Sequence, residues 1–103
     1  MKAQEISKLI HDWNDEVMTT AQAEYESADG YARLCYERVE LYEGECDRLP
    51  NDKSLENILV NEAYPDYDEA YKQMKEAEDK LERAGRVWDA LMELKAALED
   101  WEA

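Results

Sequence analysis

The sequence predicts an all-α fold: a long antiparallel helical hairpin of coiled-coil type with a short third helix at its turn, dimerising into a helical bundle. Three observations predict it. Apolar or small residues recur in steps of three and four for almost the whole length, the mark of a continuous helical face. Only three Gly and two Pro interrupt 103 residues. The one strong break, Leu49-Pro50-Asn51-Asp52, falls near the middle, and a short connection between long helices makes them antiparallel neighbours.

The first helix is expected over about residues 3–48. Its stripe runs Ile6, Ile10, Trp13, Val17, Ala21, Tyr25, Ala28, Ala32, Cys35, Val39, Tyr42, Cys46 and Leu49. Between Ile10 and Ala21 the steps of three, four and four give an eleven-residue spacing, which relaxes a left-handed supercoil locally. Asp29-Gly30 lies inside the stripe. Glycine costs a helix interior about 1 kcal/mol relative to alanine, but the stripe keeps its phase across Gly30, so one continuous helix is expected. After the break, Ser54 is a candidate N-cap for a short helix over about 55–63. Tyr64-Pro65-Asp66 punctuates again, and Pro65 suits the first turn of a last helix over about 66–101. That helix carries Tyr67, Ala70, Met74, Ala77, Leu81, Ala84, Trp88, Leu91 and Leu98 on its apolar stripe. Glu76–Lys80, Asp79–Arg83 and Glu82–Arg86 are spaced for i,i+4 pairs on its surface. A pivot near residue 56 sets Trp13 opposite Leu98 to Trp101, clustering tryptophan at the open end. The whole chain reads as a single helical domain.

Apolar residues make up 45% and charged residues 38%, with a formal net charge of −15. Phosphate contacts need Lys and Arg, so direct nucleic-acid binding is not expected, nor is an anionic membrane surface. A protein partner with a basic surface is. No apolar run approaches membrane-spanning length, and Met1-Lys2-Ala3-Gln4-Glu5 is no signal peptide. Cys35 and Cys46 lie on one predicted helix, about 16 Å apart at about 1.5 Å rise per residue. That excludes a bond between them and reads as two small buried hydrophobes in a reducing cytoplasm.

The acidic residues are unevenly spread. Asp12, Asp15, Glu16, Glu24, Glu26 and Asp29 occur with no Lys or Arg between them, and Glu37 and Glu40 follow with only Arg38 interposed, whereas residues 72–95 hold six acidic and six basic side chains. The eight named carboxylates form the candidate partner-binding face. Met18, Leu34, Tyr36 and Leu41 lie off the main stripe, and a second apolar strip on so thin a structure points to a second copy, giving a homodimer. The plainer readings are a solvated face that keeps the chain soluble and scattered exposed apolar residues.

Chemistry is sparse. Glu37-x-x-Glu40 and Glu76-x-x-Asp79 resemble the metal-binding spacing of all-α, Mg-dependent nucleotide pyrophosphohydrolases, but such sites need four converging carboxylates, and these four are expected opposite the seam. His11 has no E-x-x-H companion and belongs on a solvated flank. No nucleophile elbow or phosphate-binding glycine loop is present. Neither a catalytic residue nor a cofactor or metal is therefore expected.

The segment Asn61-Glu62-Ala63-Tyr64-Pro65-Asp66-Tyr67, the later Arg86-Val87-Trp88-Asp89-Ala90-Leu91 and the upstream Tyr36-Glu37-Arg38-Val39-Glu40-Leu41 together resemble short helical bacteriophage-encoded proteins of unassigned activity found among replication and recombination genes. The resemblance spans roughly residues 24–102 and carries no functional residues. The residues read as a non-enzymatic acidic adaptor, and the resemblance implies that its partner processes nucleic acid in the host cytoplasm. The alternative is a DNA-mimic inhibitor of a host nuclease or defence complex, of anti-restriction or anti-CRISPR type, in which carboxylates on a rigid helix imitate phosphate spacing.

Overall fold

The computed structural model describes all 103 residues and contains no strand. Two helical stretches of 46 and 50 residues form a helical hairpin. The first comprises α1 (Ala3–Trp13), a π-helical turn (Asn14–Met18) and α2 (Thr19–Arg48). The second comprises α3 (Lys53–Ile58), a π-helical turn (Leu59–Ala63) and α4 (Tyr64–Glu102).

The turn between the stretches is shorter than the sequence suggested. Asp52, not Ser54, caps the second stretch: its carboxylate accepts from the backbone N–H groups of Ser54 at 3.0 Å and Leu55 at 3.3 Å. An aspartate there satisfies two of the donors that open a helix, so α3 starts at Lys53 and only four residues turn the chain.

The expected short helix over 55–63 does not stand apart from the last helix. It begins two residues earlier and runs through the π-turn into α4. Pro65 lacks an N–H, and its ring would crowd the carbonyl four residues back in a regular helix. The wide turn just before it, in which the Tyr64 N–H bonds the Leu59 carbonyl, makes the room. The eleven-residue spacing from Ile10 to Ala21 is likewise concentrated in one wide turn. There the Thr19 N–H and hydroxyl both donate to the Asn14 carbonyl, the hydroxyl at 2.9 Å. At Gly30 the helix is unbroken.

Packing groups the residues into two compact units, Met1–Tyr25 with Ala77–Ala103, and Glu26–Glu76. In the first, the two helical segments run antiparallel. The Ala3 N–H donates to the Glu102 carboxylate at 3.0 Å, the Trp13 indole N–H to the Ala84 carbonyl at 3.0 Å, and Lys80 pairs with Glu24 at 2.9 Å. Ala3, Ile6, Ala21 and Ala84 are its buried residues. The expected tryptophan cluster is not formed: Trp13 reaches Ala84, and Trp101 is 86% exposed. The earlier turn shifts the pairing, so Ala3 and not Trp13 meets the C-terminal end. Lys80 correspondingly serves Glu24 rather than Glu76, while Asp79–Arg83 forms as its spacing predicts.

In the second unit, Ala32, Cys35 and Ala70 make one buried cluster with Tyr67 and Met74 against it. Val39, Leu59 and Ala63 make another, flanked by Tyr42, Cys46 and Tyr67. Alanine lets helices approach closely but supplies little apolar area. Six of the buried core residues in the chain are alanines, and Ile6 is the one large side chain that is fully buried. Both cysteines are free, Cys35 buried and Cys46 half-buried. Burial, and then the nearby acids Glu56, Asp47, Asp52 and Glu43, push the Cys46 thiol up.

Candidate functional site

The acidic residues of the first helical stretch are more occupied than their sequence context implied. Asp15 meets His11 at 3.1 Å, Glu24 meets Lys80 at 2.9 Å and Asp29 meets Arg33 at 3.0 Å. Glu26 also has a partner, and Asp12 is half-buried. Glu16 and Glu37 are exposed and make no ion pair within the chain. The predicted face is thus not one row of free carboxylates; Lys80 and Arg33 bring cations to Glu24 and Asp29, and the His11 imidazole meets Asp15.

The apolar candidates fare differently. Leu34 and Leu41 are each 63% exposed, one above the other at i and i+7 on α2, and Tyr31 on the same helix is also exposed. Met18 is half-buried and sits in the first π-turn. Tyr36 is exposed, but its surroundings place it in a site that the sequence did not reveal.

That site is a groove of about 460 Å³ within the second unit. Ala32, Tyr36, Tyr67, Tyr71 and Met74 supply apolar and aromatic surface, and Asp29, Arg33, Glu37 and Glu40 complete the lining. Its construction follows from side-chain size. The small Ala32 is buried against Ala70, leaving Tyr67 and Met74 packed over the cluster. The tyrosines then form a tilted series: Tyr36 to Tyr67 at 5.6 Å between ring centroids, Tyr67 to Tyr71 at 6.0 Å. The Glu40 carboxylate, one turn along the same helix, raises the Tyr36 phenol above its ordinary value. Glu37 and Glu40 therefore border a groove instead of lying opposite the seam. The sequence signal for this site was the i,i+4 pair Tyr67 and Tyr71 facing the off-stripe Tyr36. It was hidden because Tyr67 also fits the helical stripe.

The rest of the surface carries cross-helix polar links. In the second unit Arg38 pairs with Asp66 at 2.8 Å and the Tyr64 hydroxyl donates to Glu43 at 2.8 Å. No group of three or more His, Cys, Asp or Glu side chains is placed to hold a metal ion, so Glu37, Glu40, Glu76 and Asp79 do not converge. No helix is long and apolar enough to cross a membrane. No family model, curated protein or solved structure matches this chain.

Proposed function

We propose that this chain is a non-enzymatic helical adaptor that pairs with a second copy of itself and docks on a protein partner with a basic surface. The observation that carries the reading is the exposed Leu34–Leu41 strip on α2, each leucine 63% exposed, on a chain of net charge −15. Large exposed leucines at heptad spacing on a helix are the raw material of a helix–helix interface. The acidic surroundings favour a basic partner and disfavour nucleic acid. The likeness of the 61–67 and 86–91 segments to phage replication-region proteins supports a partner that processes nucleic acid in a bacterial cytoplasm.

A DNA mimic would need a row of uncompensated carboxylates. Lys80 at Glu24 and Arg33 at Asp29 interrupt that row, which supports the adaptor over the mimic. Analytical ultracentrifugation tests self-association: wild type is expected to sediment as a dimer and Leu34→Glu/Leu41→Glu as a monomer. A wild type that remains monomeric at every concentration tested overturns it. Partner capture from host lysate should survive moderate salt and be lost in the same double variant. Capture lost instead in Glu24→Lys/Glu26→Lys, with a steep salt dependence, would favour the mimic.

A further inference from the structure

We infer that the tyrosine groove of the second unit is a receptor for an arginine side chain presented by a basic segment of the partner. The inference rests on the adaptor reading and deepens it by naming what the partner must present. Three properties of the groove single out this occupant. Its walls are aromatic faces, Tyr36, Tyr67 and Tyr71, in a tilted series, and the negative face of such a ring attracts a cation. Two carboxylates, Glu37 and Glu40, line the same groove. The rings of this unit already draw cations: the Lys75 ammonium lies 5.5 Å from the Tyr71 centroid, and the Arg38 guanidinium 5.7 Å from that of Tyr42.

The lining discriminates between the two basic side chains. Guanidinium is planar: its face stacks on a ring while its N–H edge reaches a carboxylate with two parallel hydrogen bonds. An ammonium is a compact, strongly hydrated point charge and makes one of these interactions at a time. Glu37 has no cation of its own in the chain, so its charge is available. Glu40 stands near the Tyr36 phenol, whose pKa it raises, and, with about four lone-pair positions on a carboxylate, has room for a guanidinium. Arg33 is the one cationic residue among those lining the groove, and Asp29 holds it at 3.0 Å, while Lys75 lies over the Tyr71 ring.

The probe is a capped alanine peptide with one central arginine, titrated into the intact chain and followed by two-dimensional nitrogen–proton NMR. Matched peptides carry lysine or norleucine in its place. Shifts are expected at Ala32, Tyr36, Tyr67 and Tyr71. Affinity should be about fivefold weaker for lysine and lost for norleucine. Glu37→Gln/Glu40→Gln should weaken the arginine peptide about tenfold, and Tyr36→Leu comparably. All three positions are exposed, so these variants should keep wild-type circular dichroism, which is checked alongside. Shifts spread over the acidic residues of both units, equal affinity for arginine and lysine, or an unchanged affinity in Glu37→Gln/Glu40→Gln would each overturn the groove assignment. If a partner were then captured through Leu34 and Leu41 alone, the adaptor reading would stand without the groove. Arginine binding at the groove with no dimer and no captured partner would show the reverse.

Discussion

The two compact units are built from the same α2 and α4 helices and solve the shortage of core in different ways. The unit formed by Met1–Tyr25 and Ala77–Ala103 holds all three tryptophans, whereas Glu26–Glu76 holds six of the seven tyrosines. In the first, one large side chain, Ile6, is fully buried, and the Trp13 indole spans to a backbone carbonyl of the facing helix. In the second, alanines, a cysteine, Val39 and Leu59 bring the helices together, and tyrosines fill in beside them, the Tyr64 hydroxyl turned to the Glu43 carboxylate. Tyrosine is apolar in body and polar at its tip. It can therefore seal a thin core while remaining half in solvent, and the same property makes the groove a recognition surface. Thin cores made with tyrosine leave binding chemistry at the surface; thin cores made with isoleucine and tryptophan leave less.

Core substitutions break this comparison most directly. Ile6→Ala removes the one large fully buried side chain of the chain and should cost about 3 kcal/mol, measured by urea denaturation. The matching change in the second unit is an addition. Ala70 is 1% exposed and packs in one cluster with Cys35 and Ala32, so Ala70→Leu overpacks that cluster and should cost about 2 kcal/mol. Equal tolerance of both variants would mean that the units do not differ in how they pack.

Next in size is the cap. Asp52→Ala leaves the N–H groups of Ser54 and Leu55 without their acceptor and should cost about 1 kcal/mol, with Ser54→Ala costing much less. If the two are equal, the capping role of Asp52 is wrong. This residue also explains what was legible in the sequence. Periodicity located both long helices, the midpoint turn and the exposure of Leu34 and Leu41, because side-chain spacing alone decides which face an apolar residue joins. Register was not legible. Ser54 fits the N-cap pattern and a pivot near residue 56, whereas capping by Asp52 goes with a turn of four residues and a different partner for Trp13. Both residues accept hydrogen bonds well, so local chemistry does not separate them; the packing of Leu59 and Ala63 against Val39 does. The two π-turns and the continuation through Pro65 are also tertiary outcomes. A proline reads as punctuation until the turn before it is seen to be wide. The groove was hidden for the same reason, since Tyr36 and Tyr67 become neighbours only in the correct register.

A smaller effect, of opposite sign, comes from glycine. Gly30 and Gly85 sit inside α2 and α4, one in each unit, with negative φ and nothing within 4 Å of where a Cβ would be. Alanine at either position restricts the unfolded chain without a clash, so Gly30→Ala and Gly85→Ala should each stabilise by about 0.5–1 kcal/mol. Thermal denaturation checks both. A loss at Gly30 alone would reveal a contact of the second unit that involves its bare backbone, such as a second copy packing there.

The least disruptive probe is alkaline pH, and it acts on the second unit. Tyr36 and Tyr64 are both raised above 10.0, Tyr36 first by the nearby Glu40 carboxylate and Tyr64 first by its hydrogen bond to Glu43. In the folded chain the phenol proton bridges to the carboxylate; once lost, a phenolate faces it. A folded value above the unfolded one means that these bonds contribute in full below pH 10.0 and are lost as pH rises through the raised folded value. Helix content and denaturation midpoint should therefore hold steady up to about pH 10 and fall above it, in step with phenolate absorbance. Tyr36→Phe and Tyr64→Phe should each remove one late-titrating phenol and flatten the fall. Identical alkaline profiles in wild type and both variants would show that the tyrosine–carboxylate pairs do not hold the second unit. Tyr36→Phe also bears on the groove: with the hydroxyl gone, Glu40 loses the polar group nearest to it on that ring. Arginine affinity should then weaken by less than in Tyr36→Leu, because the stacking face remains while its alignment with the carboxylate is lost.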